Sequence, residues 1–137
     1  MRGRGVAVGS PAPVAAPRLL RDQRRAEIAY QCVAEVFKPA KAIDAKAYKN
    51  LVLAVGVDIR RMGLSGALAA IEREKAAGEL LLTHLRHAPM HARPSEDQGL
   101  PTWARGLDLT AYMLVTRELL QFVVWLRRAV QSLIKEP

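Results

Sequence analysis
Residues 107–137 read LDLTAYMLVTRELLQFVVWLRRAVQSLIKEP, a stretch with neither glycine nor an internal proline. Spaced at ~100° per residue, Tyr112, Val115, Leu119, Phe122, Val123, Leu126, Val130, Leu133 and Ile134 gather on one side of a helix. Arg117, Gln121, Arg128, Ser132 and Lys135 fall opposite, with no carboxylate on their stripe. One long helix therefore buries a broad apolar face and turns a ladder of cations outward. Such a helix needs other helices to pack on, and something negative or polar to meet. The chemistry it points to is binding.

The rest of the chain agrees with an all-α fold. It has 137 residues, half of them apolar, enough for a single domain with a real core. Alanine and leucine favour helix, and no segment alternates with the period of a strand. Arg117, Arg127 and Arg128 interrupt the best approach to a membrane span of ~20 apolar residues, so no membrane partner is expected. The opening MRGRGVAVGSPAPVAAP has no continuous apolar run of signal-peptide length. Cys32 is the sole cysteine, which excludes an internal disulfide and suits a reducing, cytoplasmic setting.

The formal charge of +8 is unevenly placed. Residues 1–25 carry +5 of it, six arginines against Asp22, and residues 26–137 only +3. The high isoelectric point mainly describes a tail; basicity permits a nucleic-acid partner without establishing one.

Glycines and three prolines mark residues 1–17 as a disordered Arg/Pro-rich tail, leaving 18–137 as a compact helical bundle of about five or six helices. The first helix is expected over about 18–38, stopping before Pro39, with Ile28, Cys32, Val33, Val36 and Phe37 inward. A second runs over about 43–62, with Tyr48, Leu51, Val52, Val55, Ile59 and Met62 inward and Gly63 as its C-terminal cap. Ser65 is placed to cap a third helix, which continues past a break near Gly78. The sequence APMHARPSEDQGLPT at 88–102 reads as a surface loop before the long C-terminal helix.

Opposite the core positions of the second helix lie Lys46, Lys49, Leu53, Val57 and Arg60. They form either a solvated face with scattered aliphatics, or a contact face on which cations flank Leu53 and Val57. His84, His87 and His91 lack the further Cys, His or carboxylate donors of a zinc site, so no metal is expected and the histidines read as solvated at a frayed helix end. Cys32 reads as an inert core thiol. Glu72, Glu74, Glu79 and Glu118 read as surface acids paired with nearby cations. No phosphate-cradling glycine loop and no assembled acid–base or nucleophile constellation is present, which argues for a protein that is not an enzyme and needs no cofactor.

Two segments carry a resemblance to a known family. Tyr48 precedes a helix ending in Met62-Gly63-Leu64-Ser65-Gly66-Ala67-Leu68-Ala69-Ala70-Ile71. Tyr112 is followed by Thr116-Arg117-Glu118-Leu119-Leu120 and then Trp125-Leu126-Arg127-Arg128-Ala129. Over about 28–136 the chain resembles the small helical subunit of the type III-B CRISPR RNA-targeting effector, the Cmr complex. It departs from the pattern where Ala129 directly follows the basic pair, without the usual aromatic, and where Met62 replaces an amide residue. The resemblance implies a non-catalytic α-helical module that stacks in several copies beside crRNA-holding backbone subunits, along the groove of guide and target RNA. It also implies contact with the polymerase-like large subunit, and it puts Lys46, Lys49, Arg60, Arg117, Arg128 and Lys135 forward as RNA-phosphate contacts. The other class of function is a helical adaptor that docks a protein partner on Leu53 and Val57 without nucleic acid.

Overall fold
The computed structural model describes residues 15–135. Five helices follow in order: α1 (Ala15–Glu35), α2 (Ala45–Glu72), α3 (Ala76–Arg86), α4 (Leu100–Arg105) and α5 (Leu109–Leu133), with a 3-10 turn at Pro39–Lys41. The described residues contain no strand, so the fold is all-α with a long C-terminal helix. Of the expected tail, residues 1–14 lie outside the described residues. α1 begins at Ala15, three residues before the expected start near Arg18, and Arg21, Arg24 and Arg25 lie in it as that expected span has them, so part of the +5 of residues 1–25 belongs to a helix.

Asp44 starts α2 by accepting the N–H groups of Lys46 at 3.0 Å and Ala47 at 3.3 Å. The helix then runs through the position where Gly63 was expected to end it. Gly63 holds φ +82° and ψ 166°, a region open essentially to glycine alone, and the chain kinks there and resumes as helix. The N–H of Ser65, the residue expected to cap the new turn, donates to the Tyr112 hydroxyl of α5 at 2.9 Å. A phenol from another helix thus supplies the capping acceptor. The next break falls at 73–75, not at Gly78. Gly78 lies buried in the first turn of α3, where a Cβ would run into the Ile71 carbonyl and the Glu74 Cβ. Glycine is there for close approach of α3 to the end of α2.

The expected 88–102 loop is shorter at its far end. Leu100 and Pro101 are buried and open α4, with proline in the first turn, where its missing N–H costs nothing. The remaining segment is held to α3. Arg86 donates to the carbonyls of Ser95 and Gln98, and Arg93 to those of Arg86 and Ala88.

α5 packs on both α1 and α2, while α3 and α4 pack on α2. Tyr48, Phe122, Leu64, Leu68, Leu81, Leu85, Leu119 and Leu126 form the fully buried centre. Three residues assigned inward are exposed: Phe37, Met62 and Leu133. Each sits where helical periodicity stops, beyond α1, at the kink, and at the last residue of α5. Although arginines interrupt it as expected, α5 contains an 18-residue window of mean hydropathy 1.3, enough by length and composition alone to cross a membrane. Its apolar stripe, from Val115 through Leu119, Phe122 and Leu126 to Val130, is nevertheless buried among the other helices.

α5 runs antiparallel to α2. Lys49 meets the Ile134 carbonyl at one end, Arg127 meets the Leu53 carbonyl midway, Gly56 lies against Val123, and Gly63 and Ser65 meet Tyr112 at the other end.

Candidate nucleic-acid interface
That antiparallel register brings the two cation sets read from the sequence onto neighbouring helices. Lys46 and Lys135 lie towards one end, Arg127 at Leu53, and Arg60 and Arg117 towards the other. Arg117 and Arg128 are separated by about 16 Å along α5 at a rise of ~1.5 Å per residue. Lys46, Arg60, Arg117, Arg128 and Lys135 are all exposed. None of these five forms an ion pair among the described residues. Arg128 stacks its guanidinium 5.1 Å from the Trp125 ring centroid, which orients the cation without neutralising it. Arg127 spans the seam, donating to the Leu53 carbonyl at 3.0 Å.

Lys49 does not share this face. It is buried, and its ammonium donates to the Ile134 carbonyl at 3.0 Å, capping the C-terminal end of α5 where the helix dipole favours a cation. Leu53 is half-buried beneath the seam, whereas Val57 is 48% exposed. Near the N-terminal end of α5, an apolar groove of about 570 Å³ is lined by Thr110, Met113, Leu114, Arg117 and Leu120 among others. Met113 and Leu109 are exposed beside it.

The histidines depart most from expectation. His84, read as solvated, is completely buried. Its Nδ1 lies 2.6 Å from the Tyr48 hydroxyl and its Nε2 2.7 Å from Glu35. A carboxylate only accepts, so the imidazole proton sits on Nε2, and Nδ1 accepts from the tyrosine. Burial pushes His84 below the usual imidazole range, against the opposing pull of Glu35. Glu35 is itself held low chiefly by the bond from His84. Burial also raises the Tyr48 phenol and pushes the nearby Cys32 thiol up to about 12, leaving both protonated at neutral pH. This chain of bonds ties α1, α2 and α3 together. No feature of the linear sequence pairs Tyr48 with His84, although a tyrosine on an inward stripe and a histidine one turn from Leu80 and Leu81 both require buried partners.

Glu118, read as a surface acid, is also buried. It accepts from the His91 N–H at 3.1 Å and from His91 Nδ1 at 2.6 Å, pinning the 87–99 segment to α5. Glu72, in contrast, does pair at the surface, with Arg105 at 3.8 Å. Thr116 bonds back to the Tyr112 carbonyl at 2.7 Å, as a helical threonine does. Among the described residues, no three His, Cys, Asp or Glu side chains gather as a metal site.

Comparison with known proteins places this architecture. A family profile described as CRISPR-associated protein (Cas_Cmr5) matches residues 21–133. The CRISPR system Cmr subunit Cmr5 of Thermus thermophilus is 33% identical over 121 residues, which span 85% of this chain and 97% of that protein. The crystal structure of a CRISPR-associated Cmr5 family protein from the same organism superposes with a TM-score of 0.70 at 30% identity, covering 84% of this chain and 98% of the other. By the span of the profile match and by its identity to these relatives, the chain belongs to the Cmr5 family and is a small subunit of the type III-B Cmr CRISPR complex.

Proposed function
We propose that this subunit is a non-catalytic RNA-contacting scaffold in antiviral defence. It stacks in several copies beside the crRNA-holding backbone subunits, touches the polymerase-like large subunit, and holds guide and target RNA by their phosphates. The observation that carries this reading is the set of exposed cations on the paired α2 and α5, Lys46, Arg60, Arg117, Arg128 and Lys135, with no described carboxylate bonded to them. Exposed lysines and arginines engage phosphates without reading bases, so binding is salt-sensitive and indifferent to sequence. Lys49 is left out of this set because its ammonium is spent on α5.

The test is a salt titration of single-stranded RNA binding by the reconstituted complex carrying Arg117→Ala, Arg128→Ala and Lys135→Ala together. Removing one cation from a phosphate reduces the slope of log affinity against log salt by about 0.7 for a single strand, so the triple change removes about 2 units. An unchanged slope and intact assembly make the ladder ordinary surface charge.

A second reading, a protein-docking module without RNA, draws on the exposed Val57 and the apolar groove beside Met113. Val57→Asp with Met113→Asp separates the two. Loss of assembly while the isolated subunit keeps its RNA affinity assigns that surface to a protein neighbour.

A further inference from the structure
The segment that follows α3 crosses α1, and a cleft of about 470 Å³ opens there, away from the α2–α5 cations. Its walls include Arg24, Gln31, Glu35 and Lys38 from the α1 side and His87 and Arg93 from the crossing segment. Three permanent cations thus face one carboxylate, and the Oε1 of that carboxylate is occupied by the His84 Nε2–H. Arg24 and Lys38 are exposed and form no ion pair among the described residues. Arg93 is fixed in place by its bonds to the Arg86 and Ala88 carbonyls, at 2.6 and 3.1 Å. Two guanidiniums, an ammonium and an amide, all able to donate, surround a space larger than one phosphate needs.

A second, smaller cleft of about 270 Å³ adjoins the same crossing and is lined by Arg21, Arg25, Pro89, Met90, His91 and Glu118. The Arg25 side chain is only 10% exposed; one of its terminal nitrogens bonds Asp22 at 2.8 Å, while its Nε is buried without an acceptor among the described residues. A buried donor without a partner is costly, and Arg25 also lines this cleft. Asp22 and Glu118 are already bonded, to Arg25 and to His91.

We propose that the cleft between α1 and the 87–93 segment is a phosphate-binding site, taking the phosphoryl group of a nucleotide either free or within an RNA strand. The site is separate from the α2–α5 face and does not depend on that face binding RNA. Arg24, Lys38 and Arg93 bind the oxygens, Gln31 adds a neutral donor, and Arg25 extends the positive field into the neighbouring cleft.

The experiment is an NMR titration of the ¹⁵N-labelled full chain with inorganic pyrophosphate and, separately, with a single-stranded hexaribonucleotide. The Gln31 side-chain amide, the His87 ring and the Arg24 Nε report on the site. Saturable shifts at these groups are expected, weakened at least about tenfold by Arg24→Gln with Lys38→Gln, a pair of exposed changes that leaves the melting temperature intact. Arg117→Ala with Arg128→Ala and Lys135→Ala leaves pyrophosphate affinity unchanged, which separates this site from the α5 ladder. Displacement of pyrophosphate by the oligonucleotide assigns the site to strand phosphates; absence of displacement assigns it to a free phosphorylated ligand. The proposal is overturned if neither probe gives saturable shifts up to about 10 mM, or if the double variant binds as tightly as the parent.

Discussion
Replacing Tyr48 with phenylalanine isolates the bond on which three helices converge. The ring stays, and only the hydroxyl 2.6 Å from His84 Nδ1 is removed. Because the Nε2–H is committed to Glu35, Nδ1 is left as a lone acceptor on a side chain with no exposed surface. An unmet buried acceptor costs about 1–3 kcal/mol. With an unfolding entropy of ~2.1 cal/mol/K per residue, a chain of 137 residues loses about 4–10 °C of melting temperature. Tyr30→Phe is the control, since its hydroxyl makes only an exposed 3.4 Å contact with Ser132. The pH dependence has a defined sign. His84 titrates below its unfolded value and Glu35 also below its own, so both bind protons more readily in the unfolded chain. Their contributions are present at neutral pH; that of His84 is lost as pH falls from about 6.5, and that of Glu35 from about 4.3. Thermal denaturation at pH 7.5 and 5.5 reads the His84 effect, and a further measurement at about pH 3.5 reads that of Glu35. A Tyr48→Phe protein within about 0.5 kcal/mol of the parent at pH 7.5 would refute the closed network, because solvent or a neighbour must then satisfy Nδ1.

Gly63→Ala places a Cβ at φ +82°, and the expected loss is about 1–3 kcal/mol in chemical denaturation, with the helical circular dichroism retained. Lys49→Met removes the cap on the Ile134 carbonyl; melting temperature falls by a few degrees while RNA affinity stays unchanged, the opposite of what a phosphate-contacting lysine gives. Glu118→Ala frees both His91 bonds, so hydrogen exchange at the His91 amide rises at least about tenfold, with the core amides unaffected. Raising salt screens repulsion among exposed cations that no described carboxylate neutralises, so the melting temperature of the isolated chain rises with ionic strength while RNA affinity falls.

The helices and most of the core could be read from spacing alone, because burial on one face imposes the 3.6-residue period on α5 and on the first half of α2. Errors gathered where another element decides. Gly63 looked like a helix end because glycine at positive φ usually is one; Tyr112, 47 residues away from Ser65, supplies the acceptor that lets the next turn start at once. Leu100 and Pro101 looked like loop because their burial depends on α2, to which α4 packs. Among the site residues, Arg117, Arg128, Lys135, Lys46 and Arg60 stand at the surface as their helical phase required. Lys49 shares that phase approximately, yet the end of α5 passes directly over it and captures its ammonium. Glu118 and His84 are polar residues whose partners come from α1, α2 and the 87–99 segment, and spacing within one helix carries no record of those neighbours.

A common rule separates the polar groups that build this fold from those available to a partner. Inside, charge is consumed in pairs: Glu35 with His84, Glu118 with His91, Lys49 with a helix-end carbonyl. Those pairs fix α1, α2, α3, α5 and the crossing segment relative to one another without spending the outward-facing arginines and lysines. An exposed cation without a partner contributes little to folding and adds self-repulsion in a chain of net charge +8. Stability therefore gives no account of a ladder on α5 and α2 or of Arg24 and Lys38 at the α1 cleft, whereas a rigid frame holding unpaired donors at set separations lowers the ordering cost of gripping a polyanion. Rigidity and unpaired charge together fit the proposed role of a module that holds RNA in an assembly.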